Sequence, residues 1–568
     1  MKMSEGYRMN YIIYGINRVS KDFMYIFDDL NILYLTDDIN NISLNRCEYP
    51  TKDLETALSD SSYDQIIICD FDKKNKENLL QEKGFIYGKD YVYEEDFFST
   101  LDNIVIPTDR KIAIWGTGNM CHFLLEHDFS WRPDVFIDSN KKQDIFKGRQ
   151  VVLPKEIIDW EQFFVIIAVA QDSEIKKQLL EMGLVEGYDF VNYRKMLEQP
   201  SDLLSKTIFD QSYYDLDCRT MLNHLEILGD GNTRCCCTTF VSQGLDNVFD
   251  KERDDLWSSA LHKIMCLSTE NKTFTFCDKD MCPLFVGKKS EKYNENYIDH
   301  RPYKKMTTYP ETIALGYDAS CNLSCITCRK EVHFAKDNEL EIVNQITDKV
   351  LKQYLPHCKF LILAGNGEVF ASPAYRKIYE APECEPQYIR LLSNGTLFSE
   401  KNWNHFIEGK TAKIMLTVSI DAATKDTYKR IRRGNFDILK QNMEFASKLR
   451  KNGGLCYFRL NFVVQKENYK EMIPFVEWGQ SLGVDEVFFT KILNWGTYSS
   501  EEFSEISMME QDGITPKLEL KEICEHPVMK SDIVDMGTIQ FAHKIDNTDI
   551  VENYYMWELE KRGGKLFI

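Results

Sequence analysis

Short apolar runs alternate with amphipathic stretches along most of this chain, a pattern that predicts parallel α/β sheets. The first 200 residues carry the pattern twice. Apolar strands open each copy, N-Y-I-I-Y-G at 10–15 and K-I-A-I-W-G at 111–116. Each continues through a helix to a short strand ending in acid (32–38 and 134–139), then to a buried strand (65–70 and 164–170). Each closes on a helix ending in glycine and a matching tail, E-K-G-F-I-Y-G-K-D-Y-V at 82–92 and E-M-G-L-V-E-G-Y-D-F-V at 181–191. Two small α/β repeats are expected, at 8–100 and 108–200. Residues 205–300 change texture and become cysteine-rich and loop-rich. From 308 to 498 the alternation returns, with strands predicted near 312–318, 359–364, 388–393, 414–420, 457–464 and 485–491. Amphipathic helices such as Glu339–Tyr354 and Phe436–Arg450 fall between them. Six consecutive βα units are too few to close an eight-fold barrel. They predict an open, partial (β/α)6 TIM-like barrel with its active face at the C-terminal ends of the strands. The remainder, 499–568, is polar and acidic and is expected to pack on the barrel or cover its mouth.

Composition narrows the function. The formal net charge is −20. Nucleic-acid binders need a basic stripe to neutralise phosphates, so no nucleic-acid partner is expected. The longest apolar run, Phe163–Ala170, has eight residues, far short of the ~18 of a membrane span. The opening M-K-M-S-E-G-Y-R-M-N lacks the basic and apolar regions of a secretory leader. A cytoplasmic protein without a membrane partner is expected. In that compartment the 17 cysteines read as metal ligands or core residues rather than disulfides.

In the second repeat W-G-T-G-N-M at 115–120 forms a glycine-rich turn between strand and helix. Such a turn can set backbone N–H groups against a phosphate. The third glycine of the full dinucleotide motif is replaced by Cys121, and the first repeat has Asn17 where the second has Gly118. A tight structural turn is the other reading. With Asp138 and the G-x-x-V-V-x-P stretch at Gly148–Pro154, residues 108–200 resemble the nucleotide-sugar-binding domain of bacterial sugar acyltransferases. That resemblance implies a Rossmann-like fold and a sugar-nucleotide pocket lined by Gly116, Gly118 and Asp138. The first repeat is then degenerate and structural.

Directly after the first barrel strand comes D-A-S-C-N-L-S-C-I-T-C-R, with Cys321, Cys325 and Cys328 spaced C-x3-C-x2-C. Thiolates are soft ligands suited to iron–sulfur clusters, and a cubane wants four of them. Three leave one iron open for an exogenous ligand. Structural zinc prefers a closed set of four. The triplet and the motifs after it resemble the radical S-adenosylmethionine superfamily. G-N-G-E at Gly365, Asn366, Gly367 and Glu368 looks like its glycine–glutamate motif, which holds the methionine amino group. Ser393, Asn394 and Gly395 resemble its T-N-G element. V-S-I-D-A-A-T at 418–424 with Y-K-R-I-R-R-G at 428–434 resembles its S-x-D plus arginine segment. The resemblance implies a three-cysteine [4Fe–4S] cluster and S-adenosylmethionine as cofactors. Ser419 and Asp421 would approach the ribose or carboxylate, Arg432 would pair with the carboxylate, and Asn461 and Val463 would lie near adenine. Arg430 and Arg433 are equally defensible for the arginine. The aromatic residue common before the third cysteine is here Thr327.

Cys218, Gly231 and Cys236, then Cys277 and Cys282, give C-x12-G-x4-C, a gap, and C-x4-C. This resembles the SPASM or twitch auxiliary-cluster fold, placed before the barrel rather than after it. L-E-I-L-G-D-G at 225–231 reads as a hairpin with an Asp-Gly turn. The resemblance implies a second, auxiliary [4Fe–4S] cluster on Cys218, Cys236, Cys277 and Cys282. Cys235 or Cys237 is an alternative ligand to Cys236, and a zinc site or a disulfide-free structural module are the other readings.

The expected reaction is reductive cleavage of S-adenosylmethionine to a 5′-deoxyadenosyl radical, which removes hydrogen from a substrate. The catalytic residues beyond the cofactors are unknown. An oxidised product would follow from electron transfer to the auxiliary cluster, an epimer from a hydrogen donor. Candidate donors are Cys235, Cys237, Cys266, Tyr317 and Tyr498. The front repeats point to a carbohydrate or nucleotide-sugar substrate; a ribosomal peptide is the runner-up, and a non-enzymatic iron–sulfur or zinc scaffold the third reading. A flavodoxin- or ferredoxin-type protein is expected to supply the electron.

Overall fold

The computed structural model describes residues 9–39, 49–101, 103–127, 129–169, 172–197, 199–209, 213, 216–237, 240–241, 243–279, 282, 284–285, 303–363, 366–382, 385–494, 498–513 and 515–539. The chain divides into two compact units, one running to Phe209 and the other starting at Asp210.

The first unit holds two sheets of the same winding. In the first, β1 (Asn10–Tyr14), β2 (Asn31–Asp37), β3 (Thr51–Asp53), β4 (Gln65–Ile68) and β5 (Tyr91–Tyr93) lie in the order β3-β2-β1-β4-β5. Every pair is parallel. In the second, β6 (Lys111–Trp115), β7 (Val135–Ile137), β8 (Ile145–Phe146), β9 (Arg149–Val152), β10 (Phe163–Ile167) and β11 (Phe190–Asn192) take the order β11-β10-β6-β7-β9-β8. Only β8 runs antiparallel there. The first strand is central in both, and the chain later crosses to its other side, the topology in which doubly wound sheets reverse strand order. Gly15 and Gly116 end those central strands with φ of +141° and +119°. A Cβ on either would lie 2.1 Å from Cys69 O or 2.6 Å from Ala168 O, so glycine is required by close backbone approach as well as by φ.

The second unit is built on one sheet, ordered β13-β12-β14-β15-β16-β17-β18-β19-β20. Its six central strands are β14 (Thr312–Gly316), β15 (Phe360–Leu363), β16 (Tyr388–Ser393), β17 (Lys413–Ser419), β18 (Tyr457–Val464) and β19 (Glu486–Lys491). They match the predicted strands to within two residues, and all pair in parallel. Their near-continuous apolar sequences follow from burial on both faces. Outward residues such as Leu315, Leu361, Leu416 and Leu460 join the helices in one large core. Inward residues Ala314, Ile362, Met415 and Tyr457 fill the barrel floor.

Two additions depart from the six-strand expectation. β12 (His224–Leu228) pairs in parallel with β14, and β20 (Val534–Asp535) with β19. The cysteine-rich segment therefore lends the barrel an edge strand, and residues beyond 499 lend another. The hairpin read at 225–231 is present, with β12 against β13 (Thr233–Arg234). Its second role was hidden because an edge strand is recruited by the unpaired N–H and C=O row of its neighbour, which no local pattern announces. Among the described residues, no helix is long and apolar enough to cross a membrane.

Candidate active site at the barrel mouth

The cysteine loop is fixed before any ligand binds. Asp318, fully buried after β14, accepts from Ser320 N–H (2.9 Å) and from the Ser372 hydroxyl. Cys321 and His333 exchange two backbone hydrogen bonds, of 2.7 and 3.3 Å. The N–H groups of Cys328 and Arg329 both donate to Cys325 O at 3.0 Å, forming the turn that closes the triplet. Cys321 and Cys325 are buried and Cys328 is exposed. Asn394 Nδ2 lies 3.8 Å from Cys321 Sγ, and Arg329 Nε lies 3.4 Å from Cys328 Sγ. Burial raises the Cys325 thiol, and Arg432 beside it opposes that rise. Donors aimed at sulfur stabilise thiolates and tune a cluster. Among the described residues no three His, Cys, Asp or Glu side chains converge on a single ion; in a cubane each thiolate takes a different iron.

Gly367 and Glu368 follow β15. A Cβ at Gly367 would lie 2.4 Å from Asp318 O and 2.7 Å from Ser320 O, so only glycine lets this loop lie on the cysteine loop. Asn366 Nδ2 donates to Gly316 O (3.2 Å), and Arg329 donates to the carbonyls of Ala319 and Asn366. Gly365 lies outside the described residues. Glu368 is fully buried; it accepts from Ser393 Oγ (2.8 Å) and Asn394 N–H (2.6 Å). Burial pushes its carboxyl up to about 6. Asn394 thus links the acid to the cluster loop, donating to Glu368 through its backbone and to Cys321 Sγ through its side chain.

Asp421 takes a left-handed backbone, φ +63°. Its carboxylate accepts Val463 N–H at 2.8 Å and pairs with Arg432 at 2.9 Å. One Asp421 oxygen accepts from Val463 and the other pairs with Arg432, so Asp421 positions the arginine at the strand ends. Val463 N–H is likewise taken. Arg432 also donates to Ser419 O (2.8 Å), while its Nε is buried without a partner. Burial disfavours its charge, but the neighbouring Cys325 and Asp421 hold its pKa above the ordinary value. Ser419, Asn461 and Val463 are half-exposed on the inward face at the strand ends, and Asn461 accepts from Arg459 Nε at 2.7 Å. Two residues that sequence reasoning missed brace this loop. Asn468 donates to Asp421 O (3.0 Å) and Val463 O (2.8 Å). Glu471 accepts from Ala423 N–H, Thr424 N–H and the hydroxyls of Thr424 and Thr427, all between 2.6 and 3.0 Å. Neither sits in a motif, and only the fold brings Asn468 to Asp421 and Glu471 to residues 423–427.

The orphaned donor of Arg432 beside Cys325, and the buried acceptor Glu368 tied to Cys321, fit a zwitterionic amino-acid group on an open iron. The residues present therefore suit a three-cysteine cluster with S-adenosylmethionine.

Of the auxiliary cysteines, Cys218, Cys277 and Cys282 border one apolar cluster, that of Tyr213, Leu216, Phe274 and Phe285. Burial drives the Cys236 thiol up, and Cys218, Cys237, Cys282 and Cys277 drive it further. The rings of Tyr213, Phe274 and Phe285 pack edge-on beside them. Cys235 turns instead to Met265 Sδ (4.0 Å), and Cys266 Sγ to Met221 O (3.2 Å); both are fully buried. Tyr317 bonds Thr347 of the outer helix Asp337–Lys349 at 2.9 Å. All three side chains are buried among these neighbours. Cys237 is half-exposed, and Tyr498 donates to Ile326 O (3.1 Å), against the triplet loop.

In the first unit the strand ends of the two repeats differ. In the first repeat Lys76 is bound there, 2.7 Å from Asp37, 3.4 Å from Asp70 and 4.0 Å above the Tyr14 ring, and Asn17 donates to Asp70 at 2.7 Å. In the second, Gly118 is exposed and Asp138 half-buried, with Asp138 held by Thr117 Oγ1 and Asn140 N–H (2.8 Å).

No protein-family model matches the chain. It is 25% identical over 178 residues to a probable GTP 3′,8-cyclase of Methanococcus aeolicus, covering 31% of this chain and 57% of that protein. It is 25% identical over 198 residues to a probable GTP 3′,8-cyclase of Saccharolobus islandicus, covering 34% and 60%. The chain thus spans less than two thirds of the curated relatives it matches. Solved structures that align with it include Streptococcus suis SuiB bound to precursor peptide SuiA (16% identity, 32% of this chain, 40% of that chain, TM-score 0.25). Another is anSMEcpe with bound AdoMet (18%, 32%, 50%, TM-score 0.25). TM-scores this low add no weight. By its cysteine triplet, the residues gathered around it and its similarity to the two curated relatives, the barrel region of this chain resembles a radical S-adenosylmethionine core, and its residues suit a [4Fe–4S] cluster and S-adenosylmethionine.

Proposed function

We propose that the chain is a radical S-adenosylmethionine enzyme that oxidises or epimerises a carbohydrate or nucleotide-sugar substrate, with a second [4Fe–4S] cluster on Cys218, Cys236, Cys277 and Cys282. The observation that carries the radical chemistry is the Arg432 guanidinium, charged beside Cys325 and keeping one buried donor without a partner. When bound, the cluster and S-adenosylmethionine supply reductive cleavage to a 5′-deoxyadenosyl radical. Cys321, Cys325 and Cys328 hold the cluster. Glu368, oriented by Ser393 and Asn394, accepts from the methionine amino group. Arg432 Nε donates to the methionine carboxylate through a charge-assisted bond. Ser419, Asn461 and Val463 bound the space where the nucleoside would lie.

The burial of Cys235, Cys266 and Tyr317 leaves Cys237 and Tyr498 as the donors an epimerisation would use. The exposed Gly118 and the half-buried Asp138 at the strand ends of the second repeat support a nucleotide-sugar ligand, and the two relatives are themselves named for a nucleotide. The test is full-length, anaerobically reconstituted protein with dithionite, S-adenosylmethionine and, in parallel, uridine-diphosphate sugars, GTP or a peptide. The proposal expects a nucleotide sugar to accelerate 5′-deoxyadenosine formation and to lose hydrogen in mass spectra. Acceleration by the peptide alone would overturn the substrate assignment.

A further inference from the structure

We propose that the Tyr428 hydroxyl donates a hydrogen bond to the Cys325 sulfur once that sulfur ligates a cluster, and so raises the cluster's reduction potential; this rests on the radical S-adenosylmethionine reading. Among the described residues two tyrosine hydroxyls are buried without a hydrogen-bond partner, those of Tyr354 and Tyr428. An unpaired buried hydroxyl is destabilising, so each calls for an explanation. Tyr354 closes the turn Val350–Tyr354 that leads into the N-terminal end of β15, the end away from the cysteine loop. Tyr428 lies against that loop.

Tyr428 is fully buried on the helix Lys425–Ile431. Its N–H donates to Thr424 O at 3.0 Å, and its carbonyl accepts from Arg432 N–H at 2.8 Å. Its ring packs on Phe436, with 5.4 Å between centroids. A Cβ on Gly434 would lie 2.8 Å from Tyr428 Cε1, 3.1 Å from its hydroxyl oxygen and 3.3 Å from Leu323 Cδ2. Glycine at 434 therefore leaves the room that the phenol takes beside Leu323, two residues before Cys325. The end of the helix is tied to the cysteine loop by Ile326 N–H, which donates to Ile431 O at 3.0 Å. The phenol lies close enough to Arg432 and Cys325 for both charges to act on it.

The chemistry of the sulfur decides the partner. As a thiol, Cys325 is itself a donor, 3.7 Å from Arg432 O. As an iron ligand it has lost that proton. The sulfur then becomes an acceptor, and a charged one, for which a hydroxyl is a strong partner. The other two cysteines already have a side-chain donor each: Asn394 Nδ2 at Cys321, 3.8 Å away, and Arg329 Nε at Cys328, 3.4 Å away. Tyr428 gives Cys325 the third. Reduction adds negative charge to the cluster and its sulfurs, so a donor held there favours the reduced state.

The test compares full-length wild type, Y428F and Y354F, each as apoprotein and as anaerobically reconstituted holoprotein. In the apoprotein the Tyr428 hydroxyl is unpaired, so Y428F should raise the urea midpoint; in the holoprotein it should lower it. Y354F should shift both midpoints alike, because its hydroxyl gains nothing from the cluster. A purely structural role for Tyr428 would move apoprotein and holoprotein in the same direction. The second readout is the reduced-cluster resonance signal that responds to S-adenosylmethionine, titrated against potential. In Y428F its midpoint should become more negative, with the ratio of reduced to oxidised cluster at fixed potential down about tenfold, roughly 59 mV for a one-electron couple. Y354F should titrate as the wild type does. A wild-type potential in Y428F, or midpoint shifts of one sign in its apoprotein and holoprotein, would overturn the proposal. A wild-type potential with weaker S-adenosylmethionine binding would give the hydroxyl to that ligand and overturn it too. If the Cys321, Cys325 and Cys328 triple alanine protein keeps as much iron as the wild type, the triplet holds no cluster, and the radical reading itself fails.

Discussion

Asp421 and Arg432 are joined by a 2.9 Å ion pair beneath the barrel mouth, with Asp421 in a left-handed backbone and Arg432 beside Cys325. The pair turns an arginine from the end of one helix onto the cluster loop. Removing one partner of a buried pair leaves an unpaired charge and costs about 3 kcal/mol or more. Asp421→Ala should therefore lower stability to urea by that order. It should also weaken S-adenosylmethionine binding, since Arg432 loses its orientation. Calorimetric titration of reconstituted protein checks the second effect; unaltered affinity would show that Asp421 does not position the arginine.

Glu471 should be a stability determinant with a defined pH dependence. Burial works to raise its carboxyl, but hydrogen bonds from Thr427, Thr424 and Ala423 outweigh it and hold the group below its ordinary value. A carboxylate with a depressed folded pKa stabilises the fold above its unfolded pKa. That contribution is lost as pH falls through the folded value. Glu471→Gln should cost about 1–2 kcal/mol near neutrality. The gap between variant and wild type should shrink in acid, read from urea midpoints across that range.

Glu368 behaves in the opposite sense. Burial lifts it to about 6, so below that pH the group is neutral and a weaker partner for an ammonium. Affinity for S-adenosylmethionine should fall as pH drops through about 6, and Glu368→Gln should be weaker throughout and flat in pH. A wild-type affinity independent of pH across that value would remove Glu368 from the binding site.

The cysteines give a count. Reconstituted wild-type protein should carry about eight irons, as two [4Fe–4S] clusters. Replacing Cys321, Cys325 and Cys328 together by alanine should leave about four, and so should replacing Cys218, Cys277 and Cys282. Cys235→Ser should keep the full count, because its thiol faces Met265. About four irons in the wild type would contradict the second site.

Much of the barrel was legible in sequence because its strands are buried on both faces and read as unbroken apolar runs, as in F-L-I-L at 360–363. The triplet was legible because all three ligands lie within one loop. What was not legible depends on contacts distant in sequence. β12 and β20 are short segments recruited by sheet edges. Asn468 and Glu471 act only because the turn after β18 folds under Asp421. Asp421 pairs with Arg432 and accepts from Val463, a coupling no spacing rule could reveal. The same holds for Cys235 and Cys237, neighbours of Cys236 whose side chains take different directions.

The central claim is that the barrel holds a cluster on Cys321, Cys325 and Cys328 that cleaves S-adenosylmethionine. Its most direct measurement is 5′-deoxyadenosine formed per chain after dithionite reduction of the anaerobic holoprotein, with the cluster followed by electron paramagnetic resonance. The account predicts 5′-deoxyadenosine from the wild type and none from the Cys321, Cys325 and Cys328 triple alanine variant. A reduced-cluster signal that shifts with S-adenosylmethionine should accompany it. An intact reduced cluster in the wild type with no 5′-deoxyadenosine would contradict it.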